Sequence, residues 1–286
     1  MLKLLTNSGP VKAVCLLVLL IATPPARGMV NEPVTVASHG FGANKEAAFG
    51  YHVESGYQNA FIQGPMEAFD YDDVHQLSST CLGQEADIGQ LHAIVQKHQD
   101  CHVFGWSRGA VAIANYLGTH EVDNVGAVIL ESPFDDIHSV VKHKTGFASS
   151  ASVLPLVTNH KPGGIQPIKV AGAVDKNIPI LIYCSKGDAL IPATSSIEYY
   201  RALRRSGHNK AYLLAVDRGS HANIINGPDG RMVRNVIHAF LKDHNRRHNA
   251  QWAQAGQERY EQCQPPFEAE EQQSWFSWFF GSLSSR

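Results

Sequence analysis

From residue 33 to about residue 244, short apolar runs alternate with stretches of helical period. Pro33–His39 is strand-like, and Asn59–Gln63 is a weaker strand ended by Gly64-Pro65. Between 85 and 99, Ile88, Leu91, Ile94 and Val95 recur at helical spacing. Cys101–Trp106 is a short apolar run, and Ala110–Leu117 is a helix former that is apolar almost all round. Further strands are predicted over 125–130, 178–184 and 211–216, with a helix over 194–205. A last helix sets Met232, Val233, Val236, Ile237, Phe240 and Leu241 on one face. Strands that alternate with helices make βαβ units. Continuous apolar strands imply a sheet covered on both faces. The expected fold class is therefore α/β, a mainly parallel sheet with helices on both faces. Residues 135–177 form a long insertion without a clear period, which could cover a site as a small lid.

The two ends of the chain read differently. Lys3 and Lys12 precede a ten-residue apolar core, 13–22, followed by Pro24, Pro25 and Ala26-Arg27-Gly28. That is the plan of a signal peptide cleaved after Gly28. The core is shorter than the roughly 18 residues of a spanning helix. The expectation is an exported protein, secreted or periplasmic, the alternative being an uncleaved N-terminal anchor. Removing 1–28 takes away Lys3, Lys12 and Arg27 and no acid, which changes the net charge from -2 to -5. Nothing in that balance suggests nucleic acid as a partner. From 245 to 286 the chain becomes a polar tail broken by Pro265-Pro266. It ends in an aromatic cluster: Trp275, Phe276, Trp278, Phe279 and Phe280. Such a cluster is suited to a membrane interface; docking on the core and disorder are the other readings.

Export permits disulfides. Cys81, Cys101, Cys184 and Cys263 remain after cleavage, and sequence does not choose their pairing. Cys81 and Cys101 flank one predicted helix and are the best candidates. Cys184 ends an apolar strand and reads as a buried thiol. Without a C-x-x-C spacing, neither a metal nor a cofactor is expected.

The candidate chemistry lies at the carboxyl ends of the strands, where such sheets bind ligands. Gly105-Trp106-Ser107-Arg108-Gly109 joins a buried strand to a buried helix. G-x-S-x-G in that setting is a nucleophile elbow, with the serine on a tight, strained turn. A serine hydroxyl needs a base, and the base needs an orienting acid. Among 15 histidines, His221 alone follows a late strand in a Gly-Ser turn, beyond the acid in chain order. Asp188 follows the fifth strand in Ser185-Lys186-Gly187-Asp188 and is the expected acid. Glu131, at the end of the strand after the elbow helix, is its rival. An oxyanion needs preorganised donors. The backbone N–H groups of Arg108 and of Phe41, in His39-Gly40-Phe41-Gly42, are the candidates.

Together these stretches, with Glu131-Ser132-Pro133-Phe134 and Ile191-Pro192, resemble the α/β-hydrolase superfamily of serine hydrolases. Ser132-Pro133-Phe134 is similar to compact members related to the prolyl-oligopeptidase catalytic domain. The resemblance covers residues 33 to about 244 and implies a domain over 29–244. The first two strands usual in that superfamily are missing or reduced. It implies a serine hydrolase acting on a small-molecule or lipid ester or thioester through an acyl-enzyme. A serine peptidase and an inactive hydrolase fold used as a binding module are the alternatives.

Overall fold

The computed structural model describes residues 32–51, 62–72, 81–145, 158–161 and 163–263. The expected leader and the aromatic cluster lie outside these residues, as does 146–157 of the insertion. In chain order the strands are β1 (Val34–Ser38), β2 (Met66–Phe69), β3 (Cys101–Trp106), β4 (Val125–Glu131), β5 (Ile180–Ser185) and β6 (Ala211–Val216). They form a sheet in the order β2-β1-β3-β4-β5-β6, and every pairing is parallel. The helices that matter for the site are α1 (Lys45–Ala48), α2 (Glu85–Val95), α3 (Arg108–Leu117), α4 (Ile137–Thr145), α5 (Pro167–Val170), α6 (Ala193–Arg205), α7 (Gly230–Asp243) and α8 (Ala250–Glu261).

Each strand divides its side chains between two cores, because successive residues point to opposite faces. Val103, Val128, Leu130, Ile180 and Ile182 face Ile88 and Leu91 of α2, Ile113 and Leu117 of α3, and Tyr199 and Leu203 of α6. Phe104, Trp106, Ile129, Leu181 and Leu214 face Ala48 of α1 and Val233, Val236 and Phe240 of α7. The unbroken apolar runs of β3 and β5 follow from that double cover. A third, smaller cluster joins Ile137 and Val140 of α4 to Val111, Phe134 and Ile191. The first helix of the insertion thus packs at the start of α3.

Three expectations are corrected. Among the described residues the second strand is Met66–Phe69, beyond Gly64-Pro65; of the stretch predicted for it, 59–61 lie outside the described residues and the buried Ile62 makes only an isolated bridge. Its signal was weak because β2 is an edge strand, half-exposed, with Glu67 paired to Lys97 and His98. The polar tail does not begin at 245. Tyr260 of α8 stacks on Tyr212 at 5.0 Å between ring centroids, and Leu213 N–H donates to the Cys263 carbonyl at 2.7 Å. That bond covers the edge strand β6, and Gly256 lets α8 sit directly on the backbone at Asn235 of α7. Lastly, Cys81 and Cys101 do not pair with each other. Cys81 precedes α2 and Cys101 follows it, so a helix about 16 Å long separates residues whose Cα atoms a disulfide needs within about 7 Å. Cys184 is a buried free thiol, and burial pushes it up to about 12.

Candidate active site

β3 delivers the chain to Ser107 at the start of α3. Ser107 holds φ 55° and ψ −121°, a conformation that L-residues avoid unless the surroundings enforce it. The enforcing contacts are close. A Cβ on Gly105 would sit 2.5 Å from Ile113, and one on Gly109 would sit 2.1 Å from the Ser38 carbonyl oxygen. Both glycines of the motif are therefore required by packing, between β3 and α3 and between α3 and the end of β1.

His221 reaches the serine from the loop after β6. Its Nε2 lies 2.9 Å from Ser107 Oγ, and its Nδ1 lies 2.8 Å from Asp188 Oδ2. Asp188 stands after β5, with its side chain 1% exposed. Its Oδ1 accepts from the backbone N–H groups of Leu190 at 2.8 Å and Ile191 at 2.9 Å. Its Oδ2 also accepts from Ser132 Oγ at 3.1 Å. Burial pushes the Asp188 carboxyl up. The hydrogen bond and charge of His221, with the Ile191 and Leu190 N–H groups, outweigh it and hold the carboxyl below the ordinary aspartate range. An ionised Asp188 accepts a hydrogen bond from His221 Nδ1–H, which leaves Nε2 to accept from the Ser107 hydroxyl. The pieces come from sequence separations of 114 and 33 residues.

Glu131, the rival acid, is fully buried and engaged elsewhere. Its Oε2 accepts from the Tyr183 hydroxyl at 2.7 Å and its Oε1 from the Ile224 N–H at 3.2 Å. Ile224 lies in the loop that carries His221, so Glu131 ties that loop to the end of β4. The next residue, Ser132, adopts φ 47° and bonds Asp188. The Glu131-Ser132 pair therefore steadies both the His221 loop and the acid.

On the other side of the serine is the loop after β1. His39 is buried, and its Nδ1–H donates to the Gly40 carbonyl at 2.8 Å. Burial holds its imidazole below the ordinary histidine range. A Cβ on Gly40 would meet Trp106 at 2.9 Å and Ser107 Cβ at 3.2 Å, so this backbone lies directly beside the nucleophile. Phe41 follows and is exposed, at 41% of its surface. Arg108 is the first residue of α3, within the turn whose N–H groups have no partner inside the helix.

The Arg108 side chain was not anticipated. It is buried against Asp87 of α2, with Nε to Oδ2 at 2.7 Å and Nη2 to Oδ1 at 2.6 Å. One signal was available: a charge opening an otherwise apolar helix requires a buried partner. Among the described residues no group of three His, Cys, Asp or Glu side chains is placed to hold a metal ion. Nor is any described helix long and apolar enough to cross a membrane.

A serine hydroxyl, an imidazole and an ionised carboxylate in one hydrogen-bonded line can move a proton away from the serine. The architecture that holds them is similar to several solved structures. The Pyrococcus furiosus esterase Pf2001 superposes with a TM-score of 0.56 at 18% identity, over 74% of this chain and 83% of that one. Paleococcus ferrophilus monoacylglycerol lipase gives 0.53 at 17%, over 74% of this chain and 96% of that one. Pyrococcus horikoshii acylaminoacyl peptidase gives 0.54 at 15%, over 77% of this chain but only 38% of that longer one. No family model and no curated protein matches the sequence. The chain has the α/β-hydrolase fold.

Proposed function

We propose that this protein is a serine hydrolase that cleaves an ester or thioester through an acyl-enzyme intermediate. The observation that carries this reading is the line Ser107–His221–Asp188, at 2.9 and 2.8 Å, ending on a serine held at φ 55°. Ser107 Oγ attacks the acyl carbon while His221 Nε2 takes its proton. Asp188 stabilises the imidazolium that forms. The N–H groups of Phe41 and Arg108 donate to the oxyanion. His221 then gives the proton to the leaving oxygen or sulfur, and the carbon–leaving-group bond breaks. Water, deprotonated by His221, cleaves the acyl-enzyme and releases the acid with Ser107 restored.

Likeness to a monoacylglycerol lipase and to a membrane phospholipase A supports a lipid or small-molecule acyl substrate. Peptide cleavage is the second reading, supported by the likeness to an acylaminoacyl peptidase. A fluorophosphonate probe should label Ser107, and turnover of acyl esters should exceed that of N-acylated peptides. Dominant peptide turnover reverses the order of the two readings. Absence of both labelling and turnover favours a binding module.

We also propose export with cleavage after Gly28, and membrane-surface contact through the Trp275–Phe280 cluster. N-terminal sequencing of exported protein should begin near Met29, and an intact Met1 refutes cleavage. Truncation after Gln264 should spare ester turnover and reduce liposome binding; undiminished liposome binding refutes the contact.

A further inference from the structure

The buried pair behind the elbow connects parts of the site that are remote in sequence. The side chains of Arg108 and Asp87 are 2% and 3% exposed. Asp87 Oδ2 also accepts from the Gly83 N–H at 2.6 Å. The guanidinium carbon of Arg108 lies 4.1 Å from the centre of the Tyr71 ring, just past β2. The Tyr71 hydroxyl bonds the hydroxyl of Ser38, the fully buried last residue of β1. The His39 ring meets the Tyr71 ring edge-on at 5.0 Å. The path therefore starts on α2, passes through the residue after the nucleophile, and ends where β1 turns into His39-Gly40-Phe41.

Stability alone does not explain such a pair. Desolvating two charges offsets much of their attraction, and apolar side chains of similar volume are often as good or better. The pair's position supplies the other explanation. We propose that Arg108, Asp87 and Tyr71 are positioning residues. They fix the backbone N–H of Arg108 and the loop bearing the N–H of Phe41 at one spacing from Ser107, and so set the oxyanion hole. This rests on the serine hydrolase reading above. The bidentate geometry restrains the first residue of α3, and the Tyr71–Ser38 bond restrains the end of β1. Each oxyanion donor is worth on the order of 10²–10³ in rate, and a misplacement of about 1 Å forfeits much of it.

The test is the double variant Arg108→Met with Asp87→Leu, which leaves no charge buried alone. Its Tm should stay within a few degrees of wild type. On p-nitrophenyl esters its kcat should fall about 10–100-fold, with KM within about threefold. A trifluoromethyl ketone, whose hemiketal oxyanion occupies the same hole, should bind more weakly by a similar factor. A double variant with wild-type Tm, kcat and ketone affinity makes the pair merely structural and overturns the proposal. Should the double variant not fold, Tyr71→Phe decides, because it keeps the ring and removes the hydroxyl that bonds Ser38. A kcat loss of several-fold with Tm retained supports the clamp, and wild-type kcat overturns it. Fluorophosphonate labelling separates the two levels. An unlabelled wild type refutes the hydrolase reading, whereas a labelled wild type with unaffected variants refutes the clamp alone.

Discussion

Two buried aspartates serve the elbow, and they differ in the nitrogen group they face. Asp188 meets His221 at 2.8 Å, and Asp87 meets Arg108 at 2.6 and 2.7 Å. Both carboxylates also take backbone N–H donors, from Leu190 and Ile191 in one case and Gly83 in the other. The His221 side chain is 19% exposed, whereas that of Arg108 is 2% exposed. Imidazole can release and regain a proton at ordinary pH, and guanidinium cannot. One pair is therefore equipped for proton transfer and the other only for geometry. A buried carboxylate takes its role from the partner's chemistry and from whether that partner keeps an open edge.

The largest effect should come from removing the proton donor on the Asp188 side. Ser107→Ala should abolish fluorophosphonate labelling and lower ester turnover by on the order of 10⁴-fold or more. Full esterase activity in a folded Ser107→Ala protein would sink the reading. Next, Asp188→Asn should lower kcat by about 10³–10⁴-fold, because it favours the wrong imidazole tautomer. Glu131→Gln keeps one acceptor oxygen, for Tyr183 or for the Ile224 N–H but not both, and leaves Asp188 in place, so it should be much milder. The reverse order of severity would make Glu131 the acid.

On the Asp87 side the effect should appear first in stability. Asp87→Asn removes the carboxylate charge that faces the buried Arg108 guanidinium and should cost about 3–5 kcal/mol, read from urea unfolding. A near-neutral result would mean that the guanidinium finds another partner.

His102 sharpens the contrast, being a buried titratable group outside both pairs. It lies on β3, 5% exposed. Burial, with the nearby charge of Arg246, holds it down to about 4 despite Asp100. The unfolded chain takes up this proton below about pH 6.5, and the native protein not until about pH 4. Stability from a neutral His102 is thus complete above about 6.5 and falls by about 3 kcal/mol as the pH drops to 4. The stability difference between wild type and His102→Leu should move by that amount between pH 7 and 4. A constant difference would show that the imidazole is not held neutral.

The smallest effect should be Ser132→Ala, which removes one of four hydrogen bonds to Asp188. A kcat loss of a few-fold is expected, from about 1 kcal/mol of lost hydrogen bonding. A loss as large as that of Asp188→Asn would place Ser132 within the proton path itself.

Much of this protein was legible in the chain alone. Apolar runs alternating with helical spacing announced the parallel sheet, and β6 occupies the predicted span, Ala211–Val216. The G-x-S-x-G motif between a buried strand and a buried helix placed Ser107, and the order Ser, Asp, His selected Asp188 and His221. These signals are local, since periodicity and turn chemistry act over a few residues. What the tertiary structure decided involves partners far apart in sequence. Asp188 and Glu131 both end neighbouring strands, and only the loops that return over them put His221 on one and the Ile224 N–H on the other. Cys81 and Cys101 are separated by the length of a helix that the chain drew between them. The docking of α8 depends on Tyr212, Asn235 and Leu213, residues of two earlier elements. Likewise, the sequence showed Arg108 opening an apolar helix, but not that its side chain would be buried. Which carboxylate would meet it was fixed only when α2 packed against α3, because a buried charge's partner is chosen by packing.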